Sequence, residues 1–263
     1  MNAGEIVDRI KRELGFEWRE NTYRDTFKFG GPETEVTGIA TTMFTTMEVV
    51  EKAAAAGLNM IIPHEDTYWN DRDDVSVVDG DPLYATKVDL MRRHDIVVFR
   101  MHDHMHAQSP DFSYVGAARD IGLDPQYETE PGSHRFVIPE TTLGELVAQV
   151  QRHSGIRALR VVGDPNARVS RIRLGVGYAT PAINDPEIDV VISGEQQETD
   201  GRFDSPTYVV DAAALGIPKG WIVLGHSVSE EPGMLEMAEW IQGFVPELPV
   251  RLVEAGEPFW VPS

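Results

Sequence analysis

Cysteine is absent from all 263 residues. That excludes disulfides, thiolate zinc sites, iron–sulfur clusters and a cysteine nucleophile. Positive charge is scarce: 23 Lys+Arg stand against 43 Asp+Glu, a formal charge of −20. Such a chain repels phosphate backbones, so no nucleic-acid partner is expected unless bound cations reverse the local sign. No run reaches the roughly 18 apolar residues of a membrane span. Residues 1–13 form a charged amphipathic stretch without the apolar core of a signal peptide. No membrane partner and a cytoplasmic location are therefore expected. Several motifs are missing as well. There is no GxxxxGK[ST] and no GxSxG, and Gly175-Val176-Gly177 is a dinucleotide fingerprint without its third glycine. What remains is 41% hydrophobic and 25% charged, a globular composition long enough for one large domain or two modest ones.

Apolar periodicity and punctuation predict alternating strands and helices. Helices are expected over 3–14, 47–56, 82–93, 112–121, 142–151, 206–215 and 234–244, several closed by a glycine (Gly15, Gly57, Gly122, Gly155, Gly216). Thr45 with Glu48, and Thr142 with Glu145, have capping-box spacing. Short apolar runs at 36–40, 58–62, 96–99, 135–138, 157–162, 171–176, 188–192 and 221–224 read as strands. This rhythm is that of α/β units. The polar segment 124–133, with two prolines, reads as a crossing between lobes. One internal echo stands out. Residues 58–65 (LNMIIPHE) align with 188–195 (IDVVISGE) at a constant offset of 130, each ending in glutamate, which suggests two copies of a βαβ half.

The histidines cluster where chemistry would be expected. His64-Glu65 follows the strand at 58–62. His102, His104 and His106 follow the strand at 96–99, and His226, four residues before Glu230, follows the strand at 221–224. Ligand sites in open α/β sheets form at such C-terminal strand ends. If the strand continues through 102–106, the three imidazoles alternate onto one face. If 226–230 is a helical turn, His226 and Glu230 share a face. Each piece alone has a plain structural explanation, a surface loop or a helix-start salt link. Together they point to a metal site, and a donor set of imidazole and carboxylate without sulfur suits zinc, manganese, iron or nickel. Carboxylates can also bridge two ions.

With these residues in view, the chain resembles the Nif-three-like dinuclear metal-centre family, some of whose members carry the name GTP cyclohydrolase I type 2. Gly225-His226-Ser227-Val228-Ser229-Glu230 matches the family's GHxxxE signature in full. Residues 46–69 (TMEVVEKAAAAGLNMIIPHEDTYW) are similar to the segment that delivers its His-His pair, and 159–174 and 191–195 resemble its second lobe. The likeness covers most of 36–244. Two departures are visible: Glu65 stands where the second histidine belongs, and His106 where an aspartate belongs. The exchange keeps three imidazoles and two carboxylates.

The resemblance implies two similar interlinked α/β lobes with mixed sheets, one from 1–131 plus 206–263 and the other from 132–205. It implies a dinuclear metal centre at the lobe junction, with His64, Glu65, His106, His226 and Glu230 as ligands of two divalent ions per chain. It also implies a toroidal homohexamer. The activity to expect is a metal-dependent hydrolase of a small phosphoester, nucleotide or cyclic C–N substrate. The alternative is a non-catalytic protein that buffers, delivers or senses a transition metal through the same site. His102 and Glu195 are the candidate catalytic groups, Glu195 as general base because the echo equates it with Glu65. His104 and Asp103 are candidates for orienting ligands or moving protons.

Overall fold

Capped amphipathic stretches and short buried runs alternate along the chain. In chain order the elements are α1 (Ala3–Glu13), β1 (Phe27–Phe29), β2 (Ile39–Thr42), α2 (Met47–Ala55), β3 (Met60–Pro63), α3 (Pro82–Arg93), β4 (Val97–Phe99), α4 (Asp103–His106), α5 (Phe112–Asp120), β5 (Arg135–Thr142), α6 (Leu143–Ser154), β6 (Arg160–Gly163), β7 (Arg168–Leu174), β8 (Val190–Ser193), α7 (Ser205–Ala214), β9 (Gly220–Val223), α8 (His226–Glu230), α9 (Gly233–Phe244) and β10 (Val250–Leu252). This computed structural model describes residues 1–179, 181–199, 203 and 205–262.

The local chemistry behind these elements is plain. Asn2 accepts from the Glu5 amide while the Glu5 carboxylate accepts from the Asn2 amide, so the first orphan donors of α1 are satisfied by a capping box. Ile6, Val7 and Ile10 then face the core. Thr142 and Glu145 cap α6 in the same way, and Gly155 closes it in the left-handed region at φ 67°. At α2 the cap is Thr46 rather than the expected Thr45, because the Thr46 hydroxyl accepts from the Val49 amide. That shift moves Glu48 out of the capping position, and it pairs instead with Lys52 at 2.9 Å.

The chain builds two five-stranded mixed sheets. The first has the order β1-β4-β3-β2-β10 and the second β5-β7-β8-β9-β6. In the first, β10, β2, β3 and β4 are parallel and β1 is antiparallel to β4. In the second, β7, β8 and β9 are parallel, flanked by antiparallel β5 and β6. Strands β2, β3, β4, β8 and β9 are buried along their whole length, which is why they carry small or apolar residues throughout and no apolar–charged alternation.

Two compact units result. One comprises 1–112 with 234–255, the other 113–233 with 256–263. Each has its own core: Ile6, Ile39, Ile62, Met237 and Ile241 lie in the first, and Leu146, Ile172, Val190 and Ile222 in the second. This division differs from the lobes expected at 1–131 plus 206–263 and 132–205. β9 is hydrogen-bonded between β8 and β6, which ties residues 220–223 to the second sheet. The segment 124–133 lies inside the second unit, where Glu128 bridges to Phe136.

Candidate metal centre

In the first unit the end of β3 delivers His64 and Glu65. The His64 and Glu65 amides still donate to the Thr42 and Met43 carbonyls, so the parallel ladder sets both residues. The end of β4 leads into α4, whose first turn is capped from a distance. The buried carboxylate of Asp25 accepts from the amides of His102, Asp103 and His104 at 2.7–3.0 Å. Helical spacing then brings His102 and His106 to one side. His102 stacks on His64 with ring centroids 4.5 Å apart, and His106 meets both rings edge-on at 4.8 and 4.9 Å. One ligand atom from each of these three imidazoles falls within 4.8 Å of the others, a spacing that a shared metal ion could close.

The expectation that His102, His104 and His106 alternate on a strand face is corrected here. The segment is a helical turn, and His104 points away from the other two. Its Nε2 accepts from the Arg19 amide at 2.9 Å, so Nδ1 carries the proton and donates to Asp25. Its ring is fully buried and lies flat on Trp18 at 3.6 Å. His104 is therefore part of the packing that fixes α4.

The other two histidines, His102 just before α4 and His106 at its end, are aimed by carboxylates. His102 Nδ1 lies 3.0 Å from Asp103, and His106 Nδ1 lies 2.9 Å from Asp111. Such pairing favours one tautomer and leaves Nε2 as the candidate ligand atom. Burial pushes the Asp103 carboxyl up, but hydrogen bonds from Thr22 and His102 outweigh it and leave the group below its ordinary range. His64 is held well below the ordinary histidine value, first by burial and then by the charges of His102 and His106. It is neutral at physiological pH, the form that binds metal.

Glu65 is held by Arg100. The guanidinium is fully buried and donates to Glu65 Oε2 at 2.6 Å, to the His64 carbonyl at 3.0 Å and to the Asp71 carbonyl at 2.6 Å. Glu65 Oε1 is left 3.6 Å from His102 Nε2.

In the second unit, β9 runs into Gly225 at φ 94° and then into α8. The turn places His226 at the helix start with Glu230 one turn on, as expected. His226 Nε2 is 2.9 Å from Glu230 and Nδ1 is 2.7 Å from Glu195. Glu195, expected as a general base, thus occupies the orienting position on His226. The Gly175-Val176-Gly177 segment seats this helix. Gly177 sits at φ +52°, and a Cβ there would lie 2.5 Å from Glu230 Oε1. Its amide also donates to the Ser229 hydroxyl at 2.9 Å. The partial dinucleotide fingerprint is a close approach of backbone to α8.

Sequence reasoning missed Asp25, Arg100 and Asp111. Each acts by position in the fold and carries no motif; the one available signal was a lone arginine inside an apolar strand run at position 100.

A family model for Duf34/NIF3 (NGG1p interacting factor 3) matches residues 1–256. A protein from Chlamydia trachomatis named GTP cyclohydrolase 1 type 2 homolog is 22% identical over 256 residues, covering 92% of this chain and 94% of its own length. One of the same name from Clostridium perfringens is also 22% identical, with 92% of each covered. Among solved structures, the Staphylococcus aureus hypothetical protein SA1388 superposes with a TM-score of 0.71 at 17% identity, covering 100% of this chain and 99% of that one. A Bacillus cereus protein related to NIF3 gives 0.70 at 14% identity, with the same coverage. Among the described residues, no helix is long and apolar enough to cross a membrane.

Proposed function

The chain belongs to the Duf34/NIF3 family, and on that premise we propose that it binds two divalent metal ions and acts as a metal-dependent hydrolase of a small phosphoester, nucleotide or cyclic C–N substrate. The observation that carries this reading is the imidazole trio of His64, His102 and His106, with a neutral His64 and carboxylates on the Nδ1 atoms of the other two. The His226–Glu230 pair adds a second nitrogen–oxygen donor set. Names borne by the relatives from Chlamydia trachomatis and Clostridium perfringens support a hydrolytic reaction on a purine nucleotide or a similar ring.

The donors are nitrogen and oxygen, which suits zinc, manganese, iron or nickel. When bound, a pair of such ions supplies Lewis acidity and activates water at neutral pH. This chain's own residues do the rest. His64, Glu65, His106, His226 and Glu230 hold the ions, and His102, grouped with His64 and His106, is a further donor to them. Asp103, Asp111 and Glu195 keep each Nε2 facing outward. The same reading includes a homohexamer, by resemblance.

Elemental analysis of untagged protein, purified without chelator and reloaded with each metal, tests the reading. About two ions per chain are expected, the number a two-metal site holds. His64→Ala and His226→Ala should each abolish tight binding while keeping the fold. Stoichiometric metal retained in either variant would sink the ligand assignment. Turnover that scales with metal occupancy in a hydrolase screen supports the enzyme; full occupancy without turnover on any substrate class supports a metal buffer or delivery protein.

A further inference from the structure

Six side chains of the first unit close a ring in which acidic and basic side chains alternate. Glu65 meets Arg100 at 2.6 Å, Arg100 meets Asp71 at 3.2 Å and Asp71 meets Arg24 at 2.8 Å. Arg24 meets Asp103 at 3.3 Å, Asp103 meets His102 Nδ1 at 3.0 Å, and His102 Nε2 faces Glu65 Oε1 at 3.6 Å. Arg100 is the buried member, with no exposed surface, while Asp71 and Arg24 reach solvent. A buried guanidinium is strongly unfavourable unless its donors are matched, and here its fork takes one carboxylate oxygen of Glu65 together with the backbone carbonyls of His64 and Asp71. With Oε2 held by the charge-assisted bond from Arg100, Oε1 is the oxygen beside the His102 imidazole.

We propose that Arg100 is a positioning residue of the metal centre: it restricts Glu65 to one ligand oxygen and, through Asp71, Arg24 and Asp103, fixes Glu65 and His102 in a common orientation. The inference rests on the metal-binding reading above and names a residue that acts on the centre through Glu65, His102 and the backbone of His64. It makes Glu65 a one-oxygen ligand by construction.

Cobalt(II) alone, added to the metal-free full-length protein, is the probe, because its visible bands weaken and shift as oxygen ligands are added. In Arg100→Met both oxygens of Glu65 are released, so the bands should weaken and shift, and cobalt affinity should change by roughly tenfold to a hundredfold, the range for residues that orient a ligand. Arg100→Lys, which keeps the charge, should restore much of the native spectrum. In the Glu65→Gln background, Arg100→Met should change the cobalt spectrum less than it does in the wild type, because only the route to His102 through Asp71, Arg24 and Asp103 remains. Native bands and an affinity within about twofold in Arg100→Met, with only the melting temperature lowered, would reduce the pair to a structural salt bridge and overturn the proposal. Should Arg100→Met fail to fold, Arg24→Met takes its place on the partly exposed side of the ring, and an unchanged cobalt spectrum there overturns the proposal too. Wild-type protein that shows no cobalt bands at all refutes the metal reading itself, and this inference with it.

Discussion

Strands β4-β3-β2 of the first sheet and β9-β8-β7 of the second form the same parallel trio, each flanked by an antiparallel strand, β1 beside β4 and β6 beside β9. At the other edge they part: β10 runs parallel to β2, whereas β5 runs antiparallel to β7. The likeness extends to the chemistry. Glu65 and Glu195 are each the second residue past the central strand, and His102 and His226 are each the third residue past its neighbour. A short helix starts at each histidine or directly after it. Yet the glutamates differ in use. Glu65 is clamped by a buried arginine and faces Nε2 of its histidine, while Glu195 sits on Nδ1. Where the first unit has His64 the second has Gly194, whose missing side chain leaves room for Ser229. A repeated frame thus decides where functional groups stand, and the neighbouring charge and volume decide what they do.

The largest effect that tests this contrast concerns how the two short helices are seated. Asp25→Ala leaves three amides of α4 and the His104 ring without their acceptor, and should cost about 3–5 kcal/mol in denaturant unfolding of the metal-free protein. Ser229→Ala, which removes the hydroxyl between Gly177 and the His226 carbonyl, should cost about 1–3 kcal/mol. Equal losses would show that the two seats are alike.

A second comparison concerns aim. Asp103→Asn and Glu195→Gln should each weaken metal binding by roughly tenfold to a hundredfold, read by competition with a chelating dye. A loss in only one of them would confine ligation to that unit's histidine.

The last comparison is made in alkaline solution. Both units bury a lysine that donates to backbone carbonyls, Lys87 in the first and Lys219 in the second. Burial lowers Lys87 to about 8 against the pull of Asp66 and Asp73, and it lowers Lys219 as well. Between about 8 and the ordinary 10.5 the unfolded chain holds the Lys87 proton and the folded chain does not, so this residue makes stability rise with pH across that window. Lys87→Met should flatten the rise in a melting series, and a slope unchanged by the substitution would contradict the burial argument. Lys219→Met should act in the same direction.

Much of the frame was legible before any coordinates. The helix at 82–93 has the bounds of α3, and the 130-residue echo superimposes β3 on β8 at both ends. Three-residue edge strands such as β1 and β10 were not legible, because their partners lie far away in sequence and their own pattern is too short to repeat. At the candidate site, strand ends and the His226–Glu230 spacing were readable as local facts. His104 was misread because alternation and helical spacing make different predictions for three histidines within five residues, and the caps supplied by Asp25 decided between them.

The sequence by itself determined the available donor chemistry: no thiolate, eight histidines and an excess of carboxylates, with the candidate ligands placed at strand ends by the apolar runs before them. Only the tertiary structure decided which ring nitrogen faces outward, that Arg100 is the counterion of Glu65, and that His104 belongs to packing. Those outcomes depend on partners dozens of residues distant, Asp25 to His104 and Glu65 to Arg100 among them. Side-chain electrostatics acts over a few ångströms of space, and chain separation does not report it.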